Sequence, residues 1–337
     1  MPLSDFPRVM LAHTPTPLEA MPNLTRVLGG PTLLVKRDDC TGLAMGGNKA
    51  RQLEFYFGEA VAQKADTVII TGAIQSNFVR QTSAAAAKLG MACHIQLEHR
   101  VSAMAPEYDV SGNVLLDRLL GATIHYFPEG EDEAAADKAL DDIAEKVRAD
   151  GGNPYVIHLS AAHPPLGALG YVDGADEFLD QAAERSLTID AVVLPSGSAA
   201  TQAGVIVGLK NRNSDIKIVG ICVRRGKDPQ HQRVLQKVQA TADLVGCPDV
   251  VSEDDVIVID DYLGPGYGLS TPEMMEAMAL AAREEGLLLD PVYTGKSMAG
   301  LIGLTRSGYF NGGETVLYLH TGGTPALFGY TSLLSDI

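Results

Sequence analysis

The sequence predicts an α/β fold in which open, mostly parallel twisted sheets carry helices on both faces. Three observations point to it: apolar runs of strand length recur along the 337 residues, helix-like segments separate them, and 35 glycines and 18 prolines punctuate the junctions. Strands that alternate with helices imply crossover connections, and crossovers build parallel sheet.

The runs TLLVKRD (32–38), DTVIITG (66–72), ACHIQLE (92–98), ATIHYFP (122–128) and NPYVIHL (153–159) each read as a short buried strand bounded by turn residues. SNFVRQTSAAAAKLG (76–90) and DEAAADKALDDIAEKVRADGG (132–152) read as the helices between them. The second half repeats the rhythm with IDAVVLPSG (189–197), IKIVGICV (216–223) and ETVLYLHTGG (314–323). No low-complexity linker or fixed-period repeat interrupts the chain, and its length suits one large α/β domain or two domains sharing a core.

The formal net charge is −16 and argues against nucleic-acid or anionic-membrane partners, which need a basic face. A small anionic ligand is still admissible, because a cluster of backbone N–H groups can hold a phosphate inside an acidic protein. No apolar run reaches the roughly 18–20 residues of a membrane helix, and the first residues lack the pattern of a signal peptide. Cys40, Cys93, Cys222 and Cys247 are scattered without metal-ligand spacing, so the expectation is reduced thiols, a cytoplasmic protein and no metal.

GGNKARQLEF (46–55) leads two glycines and Asn48 into Lys49 at a helix start; alone, it leaves open whether the amine is solvated or buried for chemistry. PSGSAATQAG (195–204) follows a strand with a small-residue loop and a helix start. Backbone N–H groups and the hydroxyls of Ser196, Ser198 and Thr201 there suit a phosphate, and the plain alternative is a tight turn. TGAIQSNFVRQ (71–81) has the same strand–loop–helix form, with Gln75, Ser76 and Asn77 placed either to cap the helix or to receive a carboxylate. LGPGYGLS and LLDPVYTGKS set Tyr267 and Tyr293 in glycine-rich or proline-flanked loops, and HTGGTPALFGY (320–330) ends another strand in glycines. The Gly-Lys-Ser of YTGKSMAG imitates a P-loop, but Asp290 stands where its first glycine belongs. The missing GxSxG, HExxH and GxGxxG patterns weigh against hydrolase, zinc-protease and dinucleotide-binding readings.

Taken together, KRDDCTG with GGNKARQLE, GAIQSN, PLGALGY, TQAG, GPGYG, DPVYTGKSMAGL and HTGGTPAL resemble the pyridoxal-phosphate enzymes of the tryptophan-synthase-β fold type. More narrowly, the chain is similar to the branch of D-cysteine desulfhydrase, 1-aminocyclopropane-1-carboxylate deaminase and L-cysteate sulfo-lyase, over about residues 9–330. The resemblance implies pyridoxal 5'-phosphate held covalently by Lys49, with Asn48 at its phenolic oxygen. It places the phosphate on Ser196, Gly197, Ser198, Ala199, Ala200 and Thr201, and puts Thr294 and Thr321 at the cofactor. Gln75, Ser76, Asn77 and Phe78 are implied at the substrate, with Ser76, Tyr267 and Tyr293 moving protons or polarising the leaving group. It further implies a homodimer, a larger body of residues 1–51 and 162–337, and a smaller body of residues 52–161, with the cofactor between them.

Cyclopropane deaminases carry glutamate and leucine at the places of Thr294 and Thr321, so the two threonines point toward elimination from a small β-substituted amino acid. The implied products are pyruvate and ammonia with sulfide from D-cysteine; the alternatives are sulfite from L-cysteate, ring opening, or a non-catalytic binding protein. This chain departs from the family pattern at Gln52 (usually lysine), Phe78, Ala200 (usually glycine) and Ser160–Ala161–Ala162, which predicts an altered pocket.

Overall fold

The computed structural model describes every residue except Met1, Ala103, Glu129, Glu131, Ala161, Ala162, Asp336 and Ile337. The departures at Ala161 and Ala162 therefore lie outside the described residues. In chain order the strands and helices are β1 (Leu18–Ala20), α1 (Pro22–Leu28), β2 (Thr32–Arg37), α2 (Lys49–Ala62), β3 (Thr67–Ala73), α3 (Asn77–Leu89) and β4 (Ala92–Glu98). There follow α4 (Asn113–Leu119), β5 (Thr123–Phe127), α5 (Glu133–Ala149), β6 (Pro154–Ile157), α6 (Leu166–Glu184), β7 (Ala191–Ser196), α7 (Ala200–Asn211) and β8 (Lys217–Cys222). The chain ends with α8 (Lys227–Val245), β9 (Ile257–Ile259), α9 (Pro272–Glu285), α10 (Thr294–Arg306) and β10 (Thr315–His320).

Two sheets form, as the alternation predicts. The six-stranded sheet has the order β1-β2-β10-β7-β8-β9, and the four-stranded sheet has the order β5-β4-β3-β6. All neighbours are parallel except the β1–β2 pair at one edge. The eight anticipated strands all appear; β1 and β9, three residues each, are too short for a periodic signal.

Alternation along the strands divides the core. In the larger sheet Leu34, Val192, Leu194, Leu317 and Leu319 pack toward α6, α7 and α8, while Leu33, Val35, Val193, Val219 and Tyr318 pack toward α9 and α10. Burying each such side chain contributes about 1.5–3 kcal/mol, so a one-residue slip in register is strongly disfavoured. In the smaller sheet Val68, Ile70, Ile95 and Leu97 form one core, and Ile69 meets Leu140, Ile143 and Ala144 of α5 on the other face. The anticipated 51/52 boundary falls inside α2, which runs unbroken from Lys49 and packs on α6. Among the described residues no helix is long and apolar enough to cross a membrane.

Candidate active site

One cavity collects residues that follow the carboxyl ends of β3, β4, β6, β7, β8 and β10. Ligand sites of open α/β sheets occur at such strand ends. Its lining includes twelve of the sixteen anticipated site residues: Asn48, Lys49, Ser76, Asn77, Phe78, Gly197, Ser198, Ala199, Thr201, Tyr267, Tyr293 and Thr321.

The segment before Lys49 is fixed by its own backbone. The Thr41 hydroxyl donates to the Gly47 carbonyl and accepts from the Gly47 N–H, both at 2.8 Å. Arg80 Nη2 and Gln81 Nε2 donate to the Gly46 carbonyl at 2.7 and 3.0 Å. The Asn48 N–H donates to the Thr321 carbonyl at 3.0 Å, which ties the start of α2 to the end of β10. This approach requires Gly322, whose Cβ, if present, would lie 2.6 Å from the Gly47 Cα. In the first turn of α2, buried Arg51 is held by Asp38 at 2.9 Å and Glu177 at 2.7 Å, anchoring the helix to the turn after β2 and to α6.

Lys49 keeps partial exposure to the cavity, but its amine sits deep within the protein envelope. That burial is the cause that lowers its pKa to about 8. Its Nζ stands 5.0 Å from the centre of the Phe78 ring and 3.4 Å from Gln52 Oε1. Lys237 and Lys296 are also lowered to about 8 by desolvation, yet neither lines the cavity. Lys296 gives its amine to the carbonyls of Leu263 and Gly266 at 2.7 and 2.6 Å, so the P-loop imitation is a loop clamp. Lys49 alone of the three combines a weakly basic amine with access to a ligand.

The loop after β7 opens on the same space. Ala199, the residue before α7, has φ +74°, an uncommon conformation for a residue with a Cβ. Helix N-termini leave their first N–H groups without intrahelical acceptors. Thr201 Oγ1 accepts from Asn48 Nδ2 and from Gln52 Nε2, both at 2.9 Å. With its lone pairs engaged, its own O–H is left to donate, and it lines the cavity. A phosphate supplies the acceptor that such a hydroxyl and helix terminus want, and Lys49 supplies the amine an aldehyde wants. The residues present therefore fit pyridoxal phosphate. Gln52 brings no charge but positions Thr201. Ser196 does not reach the cavity: its hydroxyl donates to Gln202 Oε1 at 2.6 Å and accepts from Gln230 at 2.9 Å. Ala200 also lies outside the lining.

The start of α3 forms another wall. Ser76 is the N-cap, accepting from the Val79 N–H at 3.3 Å while still lining the cavity. Asn77 Oδ1 accepts from Arg80 and Asn113, both at 3.0 Å, leaving its amide donors available. Gln75, anticipated at the substrate, turns away. Its side chain donates to the carbonyls of Tyr108 and Ser111 and accepts from the Asn113 N–H, bolting α3 to the segment before α4.

Tyr267 and Tyr293 come together, 26 residues apart in sequence, with hydroxyls 2.8 Å apart and rings edge to face. Burial and then the neighbouring Tyr293 raise the Tyr267 hydroxyl well above its ordinary pKa, and burial also raises Tyr293. Both stay protonated at neutral pH. Thr321 lines the cavity, whereas Thr294 gives its hydroxyl to Asp290 Oδ1 at 2.7 Å and stands outside the lining.

Sequence reasoning missed the charged side of the cavity. Arg100 follows β4, Arg224 follows β8, Arg233 lies on α8, and Glu133 begins α5; all four line it. Arg224 and Arg233 each meet Glu133 at 3.0 Å, and Arg225 joins the same carboxylate. Arg100 pairs with Glu98 at 2.7 Å. A signal existed in EHR and CVRR, where arginine stands within two residues of the end of a predicted parallel strand.

A family described as "Pyridoxal-phosphate dependent enzyme" matches residues 9–322. A D-cysteine desulfhydrase of Klebsiella pneumoniae subsp. pneumoniae is 44% identical over 97% of each chain. A 1-aminocyclopropane-1-carboxylate deaminase of Burkholderia vietnamiensis is 40% identical over the full length of both chains. The crystal structure of an ACC deaminase homologue superposes with a TM-score of 0.88 at 36% identity, covering 99% of this chain and 97% of that one. A variant of O-ureido-L-serine synthase, at 16% identity and TM-score 0.67 over 97% of this chain and 92% of its own, shares the fold.

Proposed function

The chain belongs to the pyridoxal-phosphate dependent enzymes, in the group of D-cysteine desulfhydrases and 1-aminocyclopropane-1-carboxylate deaminases, and on that premise we propose that it eliminates the β-substituent of a small amino acid to give pyruvate and ammonia. The observation that carries the reading is Lys49, a lysine whose amine has a pKa near 8, opening on the cavity that Tyr267 and Tyr293 also line. When bound, pyridoxal phosphate supplies an electron-withdrawing ring that accepts the electron pair left at the substrate Cα.

The protein does the rest. The Lys49 amine holds the cofactor and is the base for the α-proton, being neutral for much of the time near pH 8. Asn48, the 197–201 loop and Thr201 orient the cofactor and its phosphate. The N-terminus of α3, with Ser76 and Asn77, receives the substrate carboxylate, and Ser76 stands by as a proton relay. The tyrosine pair, protonated and mutually hydrogen-bonded, donates toward the departing group. Phe78 closes the wall over Lys49 and helps keep water out.

Neither Thr294 nor Thr321 offers a carboxylate to a pyridine nitrogen, which supports elimination over cyclopropane opening. By the same likeness a desulfhydrase-type activity, sulfide from D-cysteine, heads the substrate panel. A cytoplasmic homodimer with bodies 1–51 plus 162–337 and 52–161 belongs to this proposal, and the two separate sheets support the division. The test is an assay of the yellow holoenzyme with D-cysteine, β-chloroalanine and 1-aminocyclopropane-1-carboxylate. Pyruvate from the first two is expected; 2-oxobutyrate from the third would establish ring opening instead. A loaded enzyme that releases pyruvate from no β-substituted alanine would overturn the proposal.

A further inference from the structure

One buried cation has no part in the chemistry proposed above, on which this inference rests. Arg80 stands in the first turn of α3 and its side chain is fully buried. Among the described residues its hydrogen bonds all go to neutral acceptors. Nη1 donates to Asn77 Oδ1 at 3.0 Å and to Asn113 Oδ1 at 2.9 Å, and Nη2 donates to the Gly46 carbonyl at 2.7 Å. Its Nε is buried without an acceptor. The carboxylates of Asp117 and Asp290 act on it only through space. Asp290 is already engaged by the N–H groups of Val292, Tyr293 and Thr294, each at 2.9 Å. Asp117 accepts from Ser83 at 3.2 Å, and its second oxygen is buried without a partner. A guanidinium keeps its proton in such a place, and burying that charge is costly unless an anion answers it.

Arginine has donors only, so its bond to Asn77 settles how that amide points: the carbonyl oxygen meets the guanidinium and the NH2 is left for the cavity that Asn77 lines. Asn113 Nδ2 donates to the same oxygen at 3.0 Å and enforces the same orientation. We infer that Arg80 is a positioning residue for the substrate carboxylate: it aims the Asn77 NH2, places a buried positive charge behind it, and ties both to the loop that carries Lys49. A carboxylate that accepts from this NH2 meets, one amide away, the charge that polarises the donor. In a dry interior, hydrogen bonds chained in this way strengthen one another. The same guanidinium holds the Gly46 carbonyl, three residues before Lys49, and Gln81 Nε2 donates to that oxygen at 3.0 Å. The carboxylate and amine ends of a substrate are thereby registered against one side chain that touches neither. A ligand with a carboxamide in place of the carboxylate brings no charge to answer Arg80.

Titration of the cofactor's visible band tests this without turnover. The probes are D- and L-alanine and their amides, added at pH 8 to the wild-type holoenzyme and to Arg80→Met, Arg80→Lys and Asp117→Asn. In the wild type, the better alanine enantiomer should perturb the band at least tenfold below the concentration its amide requires. Arg80→Met should cut that preference at least tenfold, and Arg80→Lys, which keeps the charge but not the fork, should restore part of it. At pH 8, above the value of about 7 to which burial raises the Asp117 carboxyl, that group is ionised and opposes Arg80. Asp117→Asn should therefore raise the preference at least threefold, a gain that a merely loosened fold would not produce. Should Arg80→Met fail to fold, Asp117→Asn decides alone. No preference in the wild type, a preference unmoved in Arg80→Met, or no gain in Asp117→Asn would overturn the inference while leaving the elimination reading intact. Wild-type holoenzyme that releases no pyruvate from any β-substituted alanine would instead reject the elimination reading, and the titration would still decide the role of Arg80.

Discussion

Replacing Lys49 by methionine should stabilise the cofactor-free protein, and by an amount that depends on pH. The folded protein holds the Lys49 pKa near 8 against the ordinary 10.5, a cost carried by burial. A shift of that size corresponds to about 3 kcal/mol by which the protonated amine disfavours the folded state. The unfolded chain binds the proton more tightly, so wild-type stability rises with pH between the two values and is flat in this respect below about 8. Lys49→Met removes the ionisable group and keeps most of the volume. Urea unfolding of the two apoproteins should therefore show the variant ahead by about 3 kcal/mol at pH 7 and by about 1 kcal/mol at pH 9.5. A variant less stable than wild type at pH 7, or a difference that does not shrink between pH 8 and 10, would refute the picture of a charge held against desolvation.

Other perturbations have equally definite outcomes. The rate at which apoprotein takes up pyridoxal phosphate, followed in the visible band, should rise with pH through a midpoint near 8, because only the neutral amine reacts. Thr201→Val removes the hydroxyl assigned to the phosphate and unseats its two amide partners; a fluorescence titration should find cofactor affinity at least tenfold weaker, about 1.5–3 kcal/mol for a hydrogen bond to a charged group. Tyr293→Phe should lower kcat with cysteine by roughly 100-fold and with β-chloroalanine by much less, since departing chloride needs no proton. Gly72→Ala puts a Cβ 2.6 Å from Ser76 Oγ and 2.8 Å from Val79, and calorimetry should show a loss of about 1–3 kcal/mol.

The sheets were legible because their central strands are buried on both faces and read as unbroken apolar runs, as β3 does from Thr67 to Ala73. The main loops were legible because glycine and small residues gather where β3, β7 and β10 end. What side chains do once distant segments meet was not legible. Gln75 lies in the anticipated loop but faces the segment that begins 33 residues on, at Tyr108. Ser196 is consumed by Gln202 and Gln230, and Thr294 by Asp290. Each is a polar residue whose partner is set by packing, and buried polar groups take the nearest satisfactory partner. The arginine face stayed hidden for the complementary reason. Arg100, Arg224 and Arg233 come from three separate segments, and only the fold brings them to one cavity. The chain's overall acidity also drew the reading away from local positive charge.

The central claim is that Lys49, among several buried lysines, carries the cofactor. Borohydride reduction of the holoenzyme followed by proteolysis and mass mapping tests it most directly. One phosphopyridoxyl group on the peptide containing Lys49 is the predicted result, with loss of the label and of pyruvate release in Lys49→Ala. Stoichiometric label on Lys296 or Lys237, or a reduced protein with no label, would contradict it.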